Sequence, residues 1–442
     1  MTWKKVKLKQ ILKQYRIEHL VQNDIEYKQV TISKYDGVTF RGSKMGREIG
    51  RKRQFQIDLK KYPNTLMFVR QGVQDGSIGI APIEVDSCIA TENMPMFSVE
   101  GINLEYLKFL LKSPYFYDEL NKVQTTGSAQ KSIHEREILE IEIPFPDIEE
   151  QADIVQQLSS KKDNSLEITT ELTHQLSLVK KLRQQLLQDA VQGKLVPQNE
   201  KDEPASELLK KIKAEKEKLI AEKKLKKEKE LPPIKPEEIP FEIPRNWVWC
   251  RLGEIAYITS GSTPSQTAFV ESGIPYLKMY NLRNQKIDFF HKPQYIKEEV
   301  HNGQLKRCRA YSGDIIMNIV GPPLGKIAII PDDLPECNFN QAAVLIRPLK
   351  KEMNLFIFWY LNELSEIRAI ETKGVAGQDN ISVTQAHNMR VPLPPFTEQN
   401  RIVQKLDELM QYCNELEASI KQSESQNEKL LQQVLREALR KQ

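Results

Sequence analysis

The feature that most constrains this chain is self-similarity at a long period. Ile143-Pro144-Phe145-Pro146 leads through Asp147-Ile148-Glu149-Glu150-Gln151 to Ile154-Val155-Gln156-Gln157-Leu158. Much later, Val391-Pro392-Leu393-Pro394 leads through Pro395-Phe396-Thr397-Glu398-Gln399 to Ile402-Val403-Gln404-Lys405-Leu406. Gln151 and Gln399 lie 248 positions apart, and the block aligns without a gap. The correspondence extends upstream. Gly127 with Gln130 to Ile133 matches Gly374 with Gln378 to Ile381, Cys88 matches Cys337, Gly76 matches Gly325 and Tyr62 matches Tyr311. The series ends with Trp3, Leu8 and Ile11 against Trp247, Leu252 and Ile255. Solenoid units recur every ~20 to 50 residues, so a period this long means duplicated domains. A chain of 442 residues has room for them.

After each Pro-x-Pro the apolar pattern turns helical. In the second copy Ile402, Leu406, Leu409, Cys413, Leu416 and Ile420 step by four and three, and Ser423, Asn427, Leu430 and Val434 continue the series. That is a heptad seam. The first copy carries Ile154, Leu158, Lys161, Ser165, Ile168, Leu172, Gln175, Val179, Leu182 and Leu186. Polar residues interrupt this second series, which predicts a looser coil that needs a specific partner. The two copies are expected to pair with each other, antiparallel. Asp147 with Glu150 predicts one helix cap and Thr397 the other, each after prolines that cannot continue a helix backwards.

Within each globular repeat, Thr65 to Val69, Gly79 to Ala81, Ile315 to Ile319, Ile327 to Ile330 and Ala342 to Ile346 read as strands. Leu104 to Leu111 and Leu355 to Leu361 read as a buried helix near each domain's end. The expected fold is therefore α+β. Two pseudo-repeated mixed α/β domains, residues 1–146 and 244–394, are separated by long helices, 147–200 and 395–442, forming an antiparallel coiled coil. Residues 201–243 read as a charged linker. Lys210 to Glu230 holds ten lysines and five glutamates, and prolines at 232, 233, 236, 240 and 244 follow. This predicts a solvated helix and then an extended tether.

Catalytic signatures are absent from the sequence. It has no G-x-x-x-x-G-K-[ST] phosphate loop, no H-E-x-x-H and no N/D-P-P-Y/F tetrapeptide. Gly321-Pro322-Pro323-Leu324 lacks both the acidic or amide residue and the aromatic of the last of these. Five cysteines without a CxxC pair fit reduced thiols better than metal ligation or a disulfide framework. With no apolar run of the ~18 to 20 residues that a spanning helix needs, the chain reads as soluble and cytoplasmic, with no membrane partner.

Basic character is concentrated instead. Arg41, Lys44, Arg47, Arg51, Lys52, Arg53, Lys60 and Lys61 face only Glu48 and Asp58 across Arg41 to Lys61, a local charge of +6. Interspersed glycines predict a mobile loop. The second copy offers Lys278, Arg283, Lys286, Lys306, Arg307, Arg309 and Lys326, with Asn281 and Asn284. Cations and amides on loops are the chemistry of phosphate anchoring and base-edge reading. The candidate DNA contacts are Arg41, Lys44, Arg47, Arg51, Lys52, Arg53, Arg70, Lys131, Lys278, Asn281, Arg283, Lys306, Arg307 and Lys326. No catalytic or metal-binding residue is assigned.

These pieces resemble, over essentially the whole length, the specificity subunit of type I restriction–modification enzymes. The matching motifs are the doubled Pro-x-Pro…Glu-Gln-x-x-Ile-Val block and the central Leu186-Leu187-Gln188-Asp189-Ala190-Val191-Gln192-Gly193-Lys194-Leu195-Val196. Two further matches are Glu203-Pro204-Ala205-Ser206-Glu207-Leu208-Leu209-Lys210 and the opening Ile243-Pro244-x-x-Trp247…Leu252-Gly253-Glu254-Ile255. The resemblance implies two target-recognition domains, each reading half of a split double-stranded DNA site, and helices acting as a ruler. Helices of ~40 residues span ~60 Å at 1.5 Å per residue, or ~18 base pairs. It implies no chemistry in this chain and no cofactor of its own. Two methyltransferase subunits using S-adenosylmethionine on adenine, and two translocating restriction subunits using ATP and Mg²⁺, are the implied partners. The rival readings are a single-chain restriction–methylation enzyme, a coiled-coil scaffold, and a free-standing coiled-coil DNA-binding regulator.

Overall fold

The computed structural model describes residues 3–123, 132–321, 324–363 and 380–438. Five helices organise it: α1 (Leu104–Leu111), α2 (Ile148–Val191), α3 (Ala205–Ala221), α4 (Asn354–Glu363) and α5 (Phe396–Ala438). The chain divides into two units, Met1–Gln175 with Ser419–Gln442, and Leu176–Ala418. The division falls within α2 and α5, so each unit contains one globular repeat and a segment of both long helices.

In the first unit a short ribbon pairs Lys5–Lys7 with Glu142–Pro144, Val6 opposite Ile143. It closes the domain beside the start of α2. An antiparallel four-stranded sheet follows the order Leu12–Tyr15, Met96–Val99, Thr65–Phe68, Ile78–Ile80. Every residue of Thr65–Phe68 is buried, as a continuous apolar run in a central strand requires. Helix α1, capped by the Asn103 carboxamide accepting from the amides of Glu105 and Tyr106, packs Tyr106, Leu107 and Leu110 into the same core as Leu66 and Phe97. Ile154 and Leu158 of α2 and Leu435 of α5 join that core.

The second unit repeats this frame. Val248–Arg251 pairs with Arg390–Leu393, Cys250 opposite Val391. The four-stranded sheet runs Ala256–Ser260, Ala343–Pro348, Ile315–Asn318, Ile327–Ile329, the same order in topologically equivalent strands. Here α4 supplies Ile357, Tyr360 and Leu361 to the core. The matched glycines Gly76 and Gly325 both adopt positive φ, +98° and +72°, which explains why this position of the repeat is glycine twice.

What differs is the second sheet. The first unit has five strands in the order Glu18–Leu20, Arg53–Gln56, Ile89–Ala90, Glu26–Ser33, Gly37–Met45. The second has four, Phe269–Val270, Tyr295–Ile296, Ile274–Leu277, Asn338–Phe339, plus a hairpin of Leu282–Arg283 with Lys286–Ile287. One element survives in both. The strand after Cys88 pairs parallel with Glu26–Ser33, and the strand after Cys337 pairs parallel with Ile274–Leu277. Both thiols are fully buried, and burial pushes their pKa values up, as for packing residues rather than reactive ones.

Within each unit the long helices run antiparallel. In the first, Leu158 and Leu435 share a core while Asn427 Nδ2 donates to Ser165 O at 2.9 Å and Thr169 Oγ1 at 3.1 Å. In the second, Ala190 packs with Ile402 and Leu406, and Arg183 Nη2 meets Glu417 Oε2 at 3.0 Å. The seam departs from the expected one in a regular way. Leu172, Val179, Leu406, Cys413 and Ile420 lie inside or half-inside, and Leu409 is half-buried, but Ile168, Leu182, Leu416 and Leu430 are exposed. The companion position lies mostly four residues on rather than three, at Thr169, Leu176, Arg183, Met410, Glu417 and Leu431. A straight helix with 3.6 residues per turn drifts relative to a 3.5 repeat, and polar side chains occupy three of the six companion positions, Thr169, Arg183 and Glu417.

Two further expectations change. Thr397 does not cap α5. It lies within the helix and its hydroxyl donates to Asp202 Oδ1 at 2.7 Å, beside Arg401 Nη2 on Asp202 Oδ2 at 2.6 Å. Asp147 does cap α2, accepting from the Glu150 amide at 2.8 Å. The lysine-rich α3 is not simply solvated, because Leu208 and Ile212 are buried against Leu252 and Ile255. Lys213 pairs with Glu254 at 2.7 Å, and Lys216 reaches Glu228 at 2.8 Å and Gly253 O at 2.6 Å.

The duplicated glutamines are the matched buried polar groups of the frame. Gln151 and Gln399 are each 1% exposed. Gln151 Nε2 donates to Pro146 O at 2.9 Å, and Gln399 Nε2 donates to Pro394 O at 3.0 Å. Gln151 Oε1 also accepts from the Asn103 amide at 2.8 Å, whereas Gln399 Oε1 has no partner among the described residues. Gln151→Leu should therefore lower stability by about 2 kcal/mol in denaturant titration, and Gln399→Leu by clearly less. Equal losses would contradict this assignment.

Candidate nucleic-acid interface

The unshared sheets carry the basic residues. In the first unit the segment expected to be a mobile loop is strand and turn. Glu26–Ser33 and Gly37–Met45 form a hairpin with a register shift between Gln29 and Val30. Arg41 and Lys44 sit on Gly37–Met45, Arg47 on the turn Gly46–Glu48, and Arg51 just beyond. The glycines read as flexibility serve the hairpin: Gly42, at the register shift, has φ +123°, a conformation other residues rarely adopt. All four basic side chains are exposed. Arg41, Lys44 and Arg51 line one shallow cavity of about 230 Å³ with Gln29, Gln54 and Thr91.

Their neighbours already have partners within the domain. Lys52 donates to Asn23 Oδ1 at 2.8 Å and Gly46 O at 2.6 Å, and Arg53 is ion-paired with Glu18. Arg70 is 15% exposed and is a tie within the domain, not a surface cation. Its Nη2 meets Glu135 Oε1 at 2.5 Å and its Nε meets Oε2 at 3.1 Å. Burial opposes ionisation of Glu135, but the bonds from Arg70 and Gln14 prevail and hold its carboxyl below the usual range. Lys131 lies outside the described residues.

In the second unit, Asn281 is not a reading residue. It is 1% exposed, and its Nδ2 serves the carbonyls of Asp288, Phe289 and His291 at 3.0, 3.3 and 2.9 Å. A buried carboxamide with three backbone acceptors cannot also address a base edge. Lys278 is half-buried with its ammonium 5.5 Å from the Phe269 ring centroid. Arg283 is exposed on the hairpin, 4.0 Å from Asp288. Lys306 and Arg307 are exposed on the turn Lys306–Cys308, with Arg307 Nη1 3.4 Å from Thr259 Oγ1 and Ser260 O. Lys326 is exposed just before Ile327–Ile329. These cations occupy separate turns, unlike the cluster in the first unit. Gln29 and Gln54, which share the cavity with Arg41, were not singled out in the sequence. Strand alternation in Glu26–Ser33 is the one signal that places Gln29 there. Among the described residues, no group of His, Cys, Asp and Glu could hold a metal ion, and no helix is long and apolar enough to cross a membrane.

Two copies of one sheet frame, each bearing a different second sheet and each closed by a shared pair of helices, define a duplicated recognition module. The family model for the type I restriction modification DNA specificity domain matches residues 1–178 and again 244–423. The chain belongs to that family. It is 34% identical over 370 residues to the type I restriction enzyme EcoAI specificity subunit of Escherichia coli, an alignment covering 72% of this chain and 62% of that relative's length. Two solved structures share the fold. A chain from a study of complex assembly and conformational transition in a type I R-M system superposes with a TM-score of 0.67 at 17% identity, over 99% of this chain and 98% of that one. The HsdS subunit from Thermoanaerobacter tengcongensis superposes with a TM-score of 0.57 at 18% identity, over 99% and 96%.

Arg70→Gln should cost about 2 kcal/mol at neutral pH, by thermal or denaturant unfolding. Glu135 has a depressed folded pKa, so the stability it contributes is complete above the unfolded carboxyl value of about 4.3 and is lost as pH falls through the folded value. The gap between Arg70→Gln and the parent should close over that acidic window. A gap independent of pH would remove the ion pair from the account.

Proposed function

We propose that this chain is the DNA-reading subunit of a type I restriction–modification assembly. Each unit reads one half of a bipartite, asymmetric duplex target, while the paired helices set the spacing and dock two methyltransferase subunits. The observation that carries the reading is the division of each repeat into a common four-stranded frame and an unshared second sheet bearing exposed cations. A common frame suits equivalent docking of two identical partners, and dissimilar sheets suit two dissimilar half-sites. Exposed arginine and lysine around a shallow cavity that Gln29 also lines combine phosphate anchoring with an amide group able to read a base edge.

In this reading the chain performs no chemistry. The methyl donor, ATP and Mg²⁺ belong to the methyltransferase and translocating restriction subunits, and the assembly works in the cytoplasm. A target adenine must leave the helix to be methylated, so the role of this chain is to grip the flanking duplex and leave that base accessible.

Two experiments test it. Duplex binding by the assembly should weaken steeply with salt, and replacing Arg41, Lys44 and Arg51 with glutamine should lower the log–log salt slope by up to about 0.9 per residue. Exchanging residues 1–142 for another recognition domain of the family should change one half of the methylated target and leave the other half unchanged. Salt-insensitive binding, or an exchange that alters both halves, would overturn the proposal.

A further inference from the structure

The segment following Ile274–Leu277 ends in a tight turn from Asp288 to Lys292 that is built unusually firmly. Phe289 is buried, 6% exposed, but the next residue, Phe290, is 83% exposed. Asn281 fixes the backbone on both sides by bonding the carbonyls of residues 288, 289 and 291. The Tyr280 hydroxyl donates to Lys292 O at 3.2 Å, and the His291 amide donates to Asp288 Oδ1 at 3.2 Å. Lys292 adopts φ +60°, a left-handed conformation that costs a non-glycine residue of order 1 kcal/mol or more. A lone exposed phenylalanine is ordinary on a protein surface. A buried carboxamide and a strained residue holding one in place are not.

The hairpin that carries it is basic. Arg283, Lys286 and Lys292 are exposed on the hairpin and turn, Asp288 lies 4.0 Å from Arg283, and Asp333 lines the same cavity as Phe290. The first unit has a counterpart by topology. Tyr35, 82% exposed with the Lys34 ammonium 5.8 Å from its ring, follows Glu26–Ser33, the strand equivalent to Ile274–Leu277.

We infer that Phe290 is a wedge that stacks on or inserts into a base step of the bound duplex. The inference rests on the proposed DNA-reading function and adds a contact to it. Opening a step costs a few kcal/mol, which is recovered when the kinked duplex meets more protein surface. A turn already fixed in place avoids the ordering cost of binding, and the exposed cations of the same hairpin and turn are available to phosphates. Sequence preference would then arise at a step that no side chain reads by hydrogen bonding, because pyrimidine–purine steps open most readily.

The test uses the chain co-assembled with its methyltransferase subunits and a duplex carrying the motif that this assembly methylates. 2-Aminopurine is placed in turn at each position of the half-site read by residues 244–394. The parent should raise 2-aminopurine fluorescence at one step. Phe290→Ala should abolish that signal and weaken binding about tenfold, with an unchanged melting temperature because the ring is exposed. Phe290→Trp should restore both. Parent-like affinity and fluorescence in Phe290→Ala would overturn the wedge. So would a variant that assembles poorly with the methyltransferase yet, once assembled, binds DNA normally, since that places the ring on a protein surface. Absence of salt-sensitive duplex binding by the parent itself would remove the DNA-reading function, a failure distinguishable from that of the wedge alone.

Discussion

The hydrogen bond from a buried glutamine to the proline carbonyl five residues before it is made twice, by Gln151 to Pro146 and by Gln399 to Pro394. Proline ends the closing ribbon and cannot continue a helix backwards, so the chain must change direction there. The carboxamide satisfies the carbonyl exposed by that change and seats the first turn of the helix on the domain. Each helix therefore leaves its domain from the same backbone turn, and the residues reaching its companion helix follow from that start. Loss of this bond would leave a buried carbonyl unpaired, which costs more than the bond contributes when made.

The remaining organisation divides labour between sheets. Ribbon, four-stranded sheet and apolar helix repeat in order and register, which conserves the surfaces around the helix starts. The second sheet keeps one parallel strand pair beside a buried cysteine and otherwise differs in strand number, pairing and turns. Loops and edge strands positioned by a rigid scaffold can vary without disturbing the core. Here the variable part also contains the exposed cations Arg41, Lys44 and Arg51 and the firmly held Phe290. The coil between the helices is specified by polar pairs, Asn427 with Ser165 and Thr169, and Arg183 with Glu417. Such pairs fix register more than they add stability.

Much of the frame was legible in the sequence because it is local and doubled. The central strands Thr65–Phe68 and Ile315–Asn318 are continuous apolar runs, α1 and α4 are short apolar segments, and the Pro-x-Pro blocks mark helix starts. What stayed hidden depends on tertiary partners. Arg70 is chemically an ordinary DNA contact until Glu135 is brought to it from 65 residues away. Asn281 has the right side chain for an adenine edge, but three carbonyls of its own turn claim it. Half of the seam's companion positions escaped notice because Thr169, Arg183 and Glu417 are polar, and apolar periodicity weights them at nothing. Phe290 gave no signal at all, since exposure of one aromatic is a property of the turn that holds it.

The central claim is that one frame, used twice, presents two different readers to one DNA. Methylome sequencing of a host carrying this chain with the proposed methyltransferase and restriction partners tests it most directly. The account predicts a single motif of two dissimilar specified halves separated by a fixed run of unspecified bases, methylated in each half. A continuous motif, a palindrome with identical halves, or no motif dependent on this chain would contradict it.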